Sequence, residues 1–428
     1  MDSRIEALAT TIADSARTLR TLLAQHGLEE PSFAADCPWT PLPSALDKAR
    51  NAVLDAACEI QDLLLDPADL LRSYASHAHL ISLHFIQQFD IAQIVPATGP
   101  ISFGEIARQC NGVPEADVRR LLRHAMTIRV FDEPVEGQVS HTRASMLLRT
   151  EGIDGWVGST CENSWPASTK TVEALKRYPG SEEPSQSGFA LANNGLALYE
   201  VIAQSPSRAA TFAASKRGHA SGAGLSPQTF VAAYHDMFTA LRAGAVFVDI
   251  GGAHGHISFA LADAYPHLRY VVQDLPAVVA RARKNSRPSS SGFSTLGDTG
   301  RVEFMEHDFF RTQPVRDAAV YYLRHILHNW GDRYAIKILK HLTPAMGAGS
   351  RVLIHEYCLE KPWEVPMWRR RLVSAMDIGM LQLLNARERD EQQWKALLRE
   401  ADARYQWIGV QRPEGSALAI IEVGWLDH

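Results

Sequence analysis

Ile5, Leu8, Ile12, Leu19 and Leu22 recur at helical spacing with Arg and Asp between them, so the chain opens on an amphipathic helix. The Pro-rich CPWTPLPS at 37–44 ends it, and two further helical stretches are expected at 45–65 and 67–95. The second carries LISLHFIQQFDIAQIV, too apolar for a solvated face and therefore marked for burial against another helix or another chain. Residues 101–142 read as a helix-turn-helix with a wing. Ser102 and Glu105 make a capping box, Pro114 opens EADVRRLLRHAM, and EPVEGQ turns between two short β segments. Loops are expected at 178–188, 214–226 and 286–300. From 244 the period changes. AVFVDI, YVVQD, VEFMEHD, AVYYL, RVLIHEY and LAIIEVGW are short β-rich runs separated by helical stretches, which predicts a parallel sheet with crossover helices. The last strand is expected after QWIGVQRPEG.

Composition adds boundaries to this picture. The 428 residues are 46% hydrophobic and 21% charged, which excludes a fibrous or largely disordered chain and leaves room for two or three cored domains. Lys and Arg total 43 against 48 acidic residues, a balance that offers no basic surface to nucleic acid or to an anionic membrane. On the would-be recognition helix Glu115 and Asp117 precede the arginines, so packing or dimerisation is expected there rather than DNA reading. With the apolar run at 80–95, this predicts a homodimer. Five scattered cysteines with no C-x-x-C argue for buried thiols in a reducing compartment, with neither a disulfide framework nor a metal site. No cleavable apolar leader and no long apolar run is present, which predicts a cytoplasmic protein.

The first β-run ends at Asp249 and enters a helix through Gly251, Gly252 and Gly255. Such glycines let a ligand approach backbone and a helix N-terminus closely. The G-x-G-x-x-G of dinucleotide enzymes is absent, and an acid ahead of the glycines suits a cationic or hydroxyl-bearing ligand better than a pyrophosphate. Asp274 ends the second run, where a carboxylate can accept from two ribose hydroxyls. Asp308 and Phe309 follow the third run, pairing an acceptor for an exocyclic amine with an apolar surface for a base. His328 falls just beyond the fourth run, on the side of a parallel sheet where crevices form.

VDIGGAHGH, QDLP, EHDFF, LRHILHNWGD, RVLIHE and NARERDEQQW, in this order, resemble the S-adenosylmethionine-dependent O-methyltransferases of the plant caffeate/flavonoid type and their fungal secondary-metabolism relatives. The likeness runs from about residue 70, and LLNARERDEQQWKALLREA and YPGSEEPSQSGFALAN favour the fungal branch. It implies an α/β fold, a Rossmann-like class I methyltransferase sheet with an N-terminal helical, winged-helix-like dimerisation domain. The expected layout is a helical extension over 1–70, the dimerisation domain over 71–150, a linker with substrate-side helices over 151–230, and the cofactor domain over 231–428.

Position by position, the resemblance implies that Gly251 lies against the methionine part of S-adenosylmethionine, with Asp249 and Gly252 also binding the cofactor. Asp274 would hold the ribose, Asp308 and Phe309 would meet adenine, and Arg324 would line the cofactor site where the family commonly has Lys. His328 would be the general base, Glu356 its orienting carboxylate and Glu388 a second carboxylate near the ring. Met380, Asn385 and Trp165 would face a polyketide or aromatic acceptor, with Phe189 near them. Asn329 stands where the family usually has Asp, and Ala253 where it usually has a third glycine, tolerable if the backbone keeps a negative φ. The reaction expected is methylation of a phenolic or enolic hydroxyl of a fungal secondary metabolite. The alternatives are a methyltransferase-like cyclase or pericyclase that binds the same cofactor without transferring methyl, a winged-helix DNA-binding regulator, and a NAD-dependent oxidoreductase.

Overall fold

A computed structural model describes residues 3–426 apart from 38–41, 221–223 and 286–300. The loop expected at 286–300 and parts of those at 37–44 and 214–226 lie outside the described residues. The chain forms two compact units, one of Met1–Thr169, Leu198–Gly222 and Pro366–Leu372, the other of Lys170–Ala197, Ala223–Val365 and Val373–His428.

In the first unit the opening helix spans Arg4–Gln25, with the Ser3 hydroxyl accepting from the Glu6 N–H, and it packs on Asp47–Leu64. The stretch expected as one helix over 67–95 is three: Pro67–Ala75, Ala78–Gln88 and Ile91–Ile94. The breaks fall at Ser76–His77 and at Asp90, whose φ of +51° leaves the right-handed helix. Much of the apolar run is spent inside the unit, where Phe85, Ile86, Ile91 and Val95 join Phe103, Ile106, Val118 and Leu122 in one core. The capping box is present, Glu105 N–H donating to Ser102 Oγ and Ser102 N–H to Glu105 Oε2. Helices Phe103–Gln109 and Glu115–Met126 lead into the antiparallel strands Asp132–Val135 and Gln138–Ser140, joined at the edge by Ile101–Ser102. Glu115 and Asp117 pair with Arg119 and Arg120 on the second helix, which neutralises the arginines that would read DNA.

The second unit is built on seven strands: β1 (Val246–Ile250), β2 (Arg269–Asp274), β3 (Val302–Glu306), β4 (Val320–Arg324), β5 (Arg351–Glu356), β6 (Tyr405–Gln411) and β7 (Ala419–Trp425). Their order is β3-β2-β1-β4-β5-β7-β6, with β1 to β5 parallel and β7 antiparallel to both neighbours. The sheet is therefore mixed rather than wholly parallel. QWIGVQ is itself the edge strand, and the short connection from Gln411 to Ala419 carries no helix, so β6 and β7 can pair only as an antiparallel hairpin.

Side chains alternate across the sheet. Tyr321 and Val352 face a core shared with helices Asp332–Leu342 and Glu391–Ala401, while Tyr322 and Leu353 face Phe230, Phe238 and Leu261 on the other side. The chain order reverses between β1 and β4, and ligands of such sheets bind at that crevice beyond the strand ends. Among the described residues no helix is long and apolar enough to cross a membrane, and no group of three or more His, Cys, Asp or Glu could hold a metal ion.

Candidate active site

At the crevice the loop after β1 is tightly folded. The Gly251 and Gly252 N–H groups donate to the Gln273 carbonyl at 2.8 and 3.1 Å, drawing the loop onto β2. Gly251 has φ +71°, and a Cβ there would lie 2.4 Å from Ile326 Cδ1; at Gly252 it would collide with the Asp249 carboxylate. Asp249 is buried, accepts from Ser258 Oγ at 2.8 Å, and is pushed up to about 6 by desolvation. Ala253 does not keep a negative φ. It sits at +49°, because its N–H must turn back to donate to Asp274 Oδ2 at 3.0 Å, and the methyl carries the left-handed strain a glycine would avoid.

Asp274 ends β2 with one backbone N–H on each oxygen, Ala253 on Oδ2 and Leu275 on Oδ1 at 2.8 Å. Each oxygen keeps a second lone pair for a hydroxyl donor. Burial raises its pKa above the ordinary aspartate value. Asp308 is pinned by the Phe310 N–H at 2.9 Å, and the Phe309 ring lies beside the Gly251 backbone, next to Phe310 and Trp330. The chemistry of this set fits S-adenosylmethionine: acids for an ammonium, a ribose and an exocyclic amine, and an aromatic edge for a base. Arg324, at the end of β4, is largely committed inside the protein. It donates to the Leu225 carbonyl at 2.7 Å and to His256 Nε2 at 2.9 Å; burial, aided by the guanidinium charge, holds the His256 pKa down to about 4.

His328 lies on a short 3₁₀ turn, Leu327–Asn329, and is buried. Its Nδ1 is 2.7 Å from Glu388 Oε1. A carboxylate accepts, so the ring proton sits on Nδ1 and the Nε2 lone pair is left over. That Nε2 is buried with no hydrogen-bond partner among the described residues. Glu356 does not orient the ring as expected. Its two oxygens take the backbone N–H groups of Ile326, Leu327 and His328 at 2.9, 2.6 and 3.0 Å, because the end of β5 lies directly under the turn. Full burial raises the Glu356 pKa. His325, at φ +54°, holds its ring 5.1 Å from that of His328 with the planes tilted by 39°, and Asn329 Nδ2 donates to the His325 carbonyl at 2.6 Å, a bond an ionised Asp could not make.

The family model described as the O-methyltransferase domain matches residues 182–404, more than half of the chain. The chain belongs to this O-methyltransferase family. It is 39% identical to the O-methyltransferase PaMT of Phomopsis amygdali, over 98% of this chain and 96% of that protein. It is 34% identical to a chlorophenol O-methyltransferase of Trichoderma longibrachiatum, over 99% and 91% respectively. In fold it matches LepI in complex with SAM, at TM-score 0.73 and 24% identity, covering 97% of this chain and 100% of that one. This O-methyltransferase thus lies in the fungal secondary-metabolism branch and uses S-adenosylmethionine.

Not every expected site residue of the O-methyltransferase gathers here. Asn385 lines the groove of about 380 Å³ that Glu388 and Asp377 also line. It caps a helix at φ +52° and spends its amide on the Glu183 carbonyl at 2.8 Å. Met380 is buried on the helix Met367–Leu384, and Phe189 is fully buried. Trp165 belongs to the first unit, where its ring meets His84 edge-on.

Two residues escaped the sequence reading. Asp377 accepts the Glu388 N–H at 2.8 Å. Arg389 is fully buried, its guanidinium donating to the carbonyls of Leu327 and Trp330 at 3.0 and 2.8 Å and to Asp332 at 2.8 Å. The available signal was its place beside Glu388 in NARERD, but an arginine in a polar run reads as solvated.

Proposed function

We propose that this O-methyltransferase methylates a phenolic or enolic hydroxyl of a secondary metabolite, a polyketide or other aromatic, with His328 Nε2 as the general base. The observation that carries the reading is the buried imidazole with one nitrogen tied to Glu388 and the other unpartnered. A phenol is a weak nucleophile at neutral pH, and a neutral, fixed imidazole removes its proton as the oxygen attacks. When bound, S-adenosylmethionine supplies an activated methyl carbon, so the remaining task of the protein is in-line placement and proton removal. Glu388 keeps the proton on Nδ1 and stabilises the imidazolium that forms. Asp274 holds the ribose, Asp308 and Phe309 hold adenine, and Asp249 with Gly251 and Gly252 receives the methionine end, while Arg324 borders that site by fixing the Leu225 and His256 segments. Met380 and Asn385 are proposed on the acceptor side. The chlorophenol relative supports a phenolic acceptor. The apolar segment 80–95 and the helix-turn-helix beside it are proposed to form a homodimer interface.

His328→Ala should retain S-adenosylmethionine binding by calorimetry and lose about 10²–10⁴ in turnover. The assay is S-adenosylhomocysteine release, with product mass measured in parallel on a panel of phenols and aromatic polyketides. Turnover with no S-adenosylhomocysteine, and a product of the substrate's mass or that mass less water, would replace methyl transfer by the cyclase reading.

A further inference from the structure

The turn that carries His328 is gripped from two sides by opposite buried charges. On its donor side three consecutive N–H groups, from Ile326, Leu327 and His328, end on Glu356. On its acceptor side the carbonyls of Leu327 and Trp330 receive the two terminal nitrogens of Arg389. Arg389 is itself fixed by Asp332 on its Nε and by the Trp394 ring, 5.2 Å from the guanidinium carbon. Its sequence neighbour Glu388 holds the imidazole of the same histidine. One dipeptide therefore sets both the ring and the backbone of His328.

We propose that Arg389 is a positioning residue for His328, acting on its backbone as Glu388 acts on its ring. The planar guanidinium fork spans two carbonyls three residues apart and a carboxylate at once, and a lysine ammonium cannot meet all three in fixed directions. The Leu327 carbonyl also takes the Trp330 N–H at 3.1 Å, so Arg389 reinforces the closure of the turn with a charged donor. The kinetic part of this inference rests on His328 as the base; the geometric part does not.

The test uses the full-length protein and Arg389→Lys, with Asp332→Asn as the milder variant should Arg389→Lys fail to fold by circular dichroism. The first readout needs no acceptor. The short Nδ1–H···Glu388 bond places an imidazole N–H resonance far downfield in the proton spectrum, identified by its loss in His328→Ala. It should move or broaden in Arg389→Lys, and an unchanged resonance would overturn the proposal.

The second readout is methylation of a chlorophenol. Arg389→Lys should lower kcat about 10- to 100-fold with KM for S-adenosylmethionine within about threefold, and the same change in a His328→Ala background should cost less than about threefold, because residues acting as a unit are not additive. Losses that multiply in the double mutant would make Arg389 a general structural residue and end the proposal. Full activity in His328→Ala would instead defeat the base reading, with the resonance still deciding whether Arg389 positions the ring.

Discussion

At the ends of β1, β2 and β3, each acid is held by neutral groups: Asp249 by a serine hydroxyl, Asp274 and Asp308 by backbone N–H groups. At the ends of β4 and β5, Glu356, Glu388, Arg389 and His328 are buried and engage one another's ring and turn. The first arrangement leaves lone pairs for a ligand and tolerates loss of one contact. The second balances buried charges against each other, so removing one leaves its partner uncompensated in a low dielectric. The comparison predicts binding defects from the first half, and rate or folding defects from the second.

The largest effect expected is the loss of turnover in His328→Ala, without loss of cofactor binding. Next comes a contrast between two glutamates. Glu356→Gln should destabilise the fold by about 2–4 kcal/mol, since an amide cannot accept three N–H groups on two oxygens, and urea melts will read it. Glu388→Gln, which removes one side-chain contact rather than three backbone ones, should lower the melt less than Glu356→Gln does and lower kcat. Equal melts for the two would erase the distinction between holding the turn and holding the ring.

On the cofactor half, Asp274→Ala should weaken S-adenosylmethionine by about 1.5–3 kcal/mol through two lost charge-assisted bonds, with the fold intact. Unchanged affinity by calorimetry would remove the ribose assignment. Asp249 gives that half a pH dependence. Its pKa stands near 6, above the ordinary 3.8, so cofactor affinity should fall as pH drops from 7 through 6, and the slope should vanish in Asp249→Asn. In the empty protein the sign reverses: the folded state binds more protons between these two values, so the stability this group contributes is present below 3.8 and lost as pH rises through 6. The smallest effect expected is Ala253→Gly, which relieves a left-handed alanine and should raise stability by about 0.5–1 kcal/mol.

The strand-end acids were legible because an apolar β-run stops visibly at Asp249, Asp274 and Asp308, and the strand end is also where a parallel sheet opens. His328, Glu356 and Glu388 were legible as a group through family motifs. Which carboxylate meets the ring was not, because that depends on β5 running directly beneath the turn while 388 arrives from a distant segment. Arg389 was hidden for a related reason: its burial is a property of the fold around it, and the residues that bury it are 57 to 62 positions away. The parallel strands with their crossovers were legible, but the antiparallel closing pair was not, because QWIGVQ reads as a lead-in although Trp407 and Val410 pack on the core as an edge strand. The helical break at Asp90 left no mark, since a single Asp within an apolar run looks like an exposed position.

The position of β7 has a consequence for how the protein is made. β5, whose final residue Glu356 holds the histidine turn, has β4 on one side and, on the other, β7, which follows the other six strands in chain order. Until that strand threads between β5 and β6, β5 has an open edge and β6 has no partner in the sheet, and the turn that carries His328 stands on an unfinished floor. The residues of β7, Ala419–Trp425, are thus a late-arriving keystone. A nascent chain stalled short of them would carry every chemical group named above and still be a substrate for chaperones rather than a catalyst.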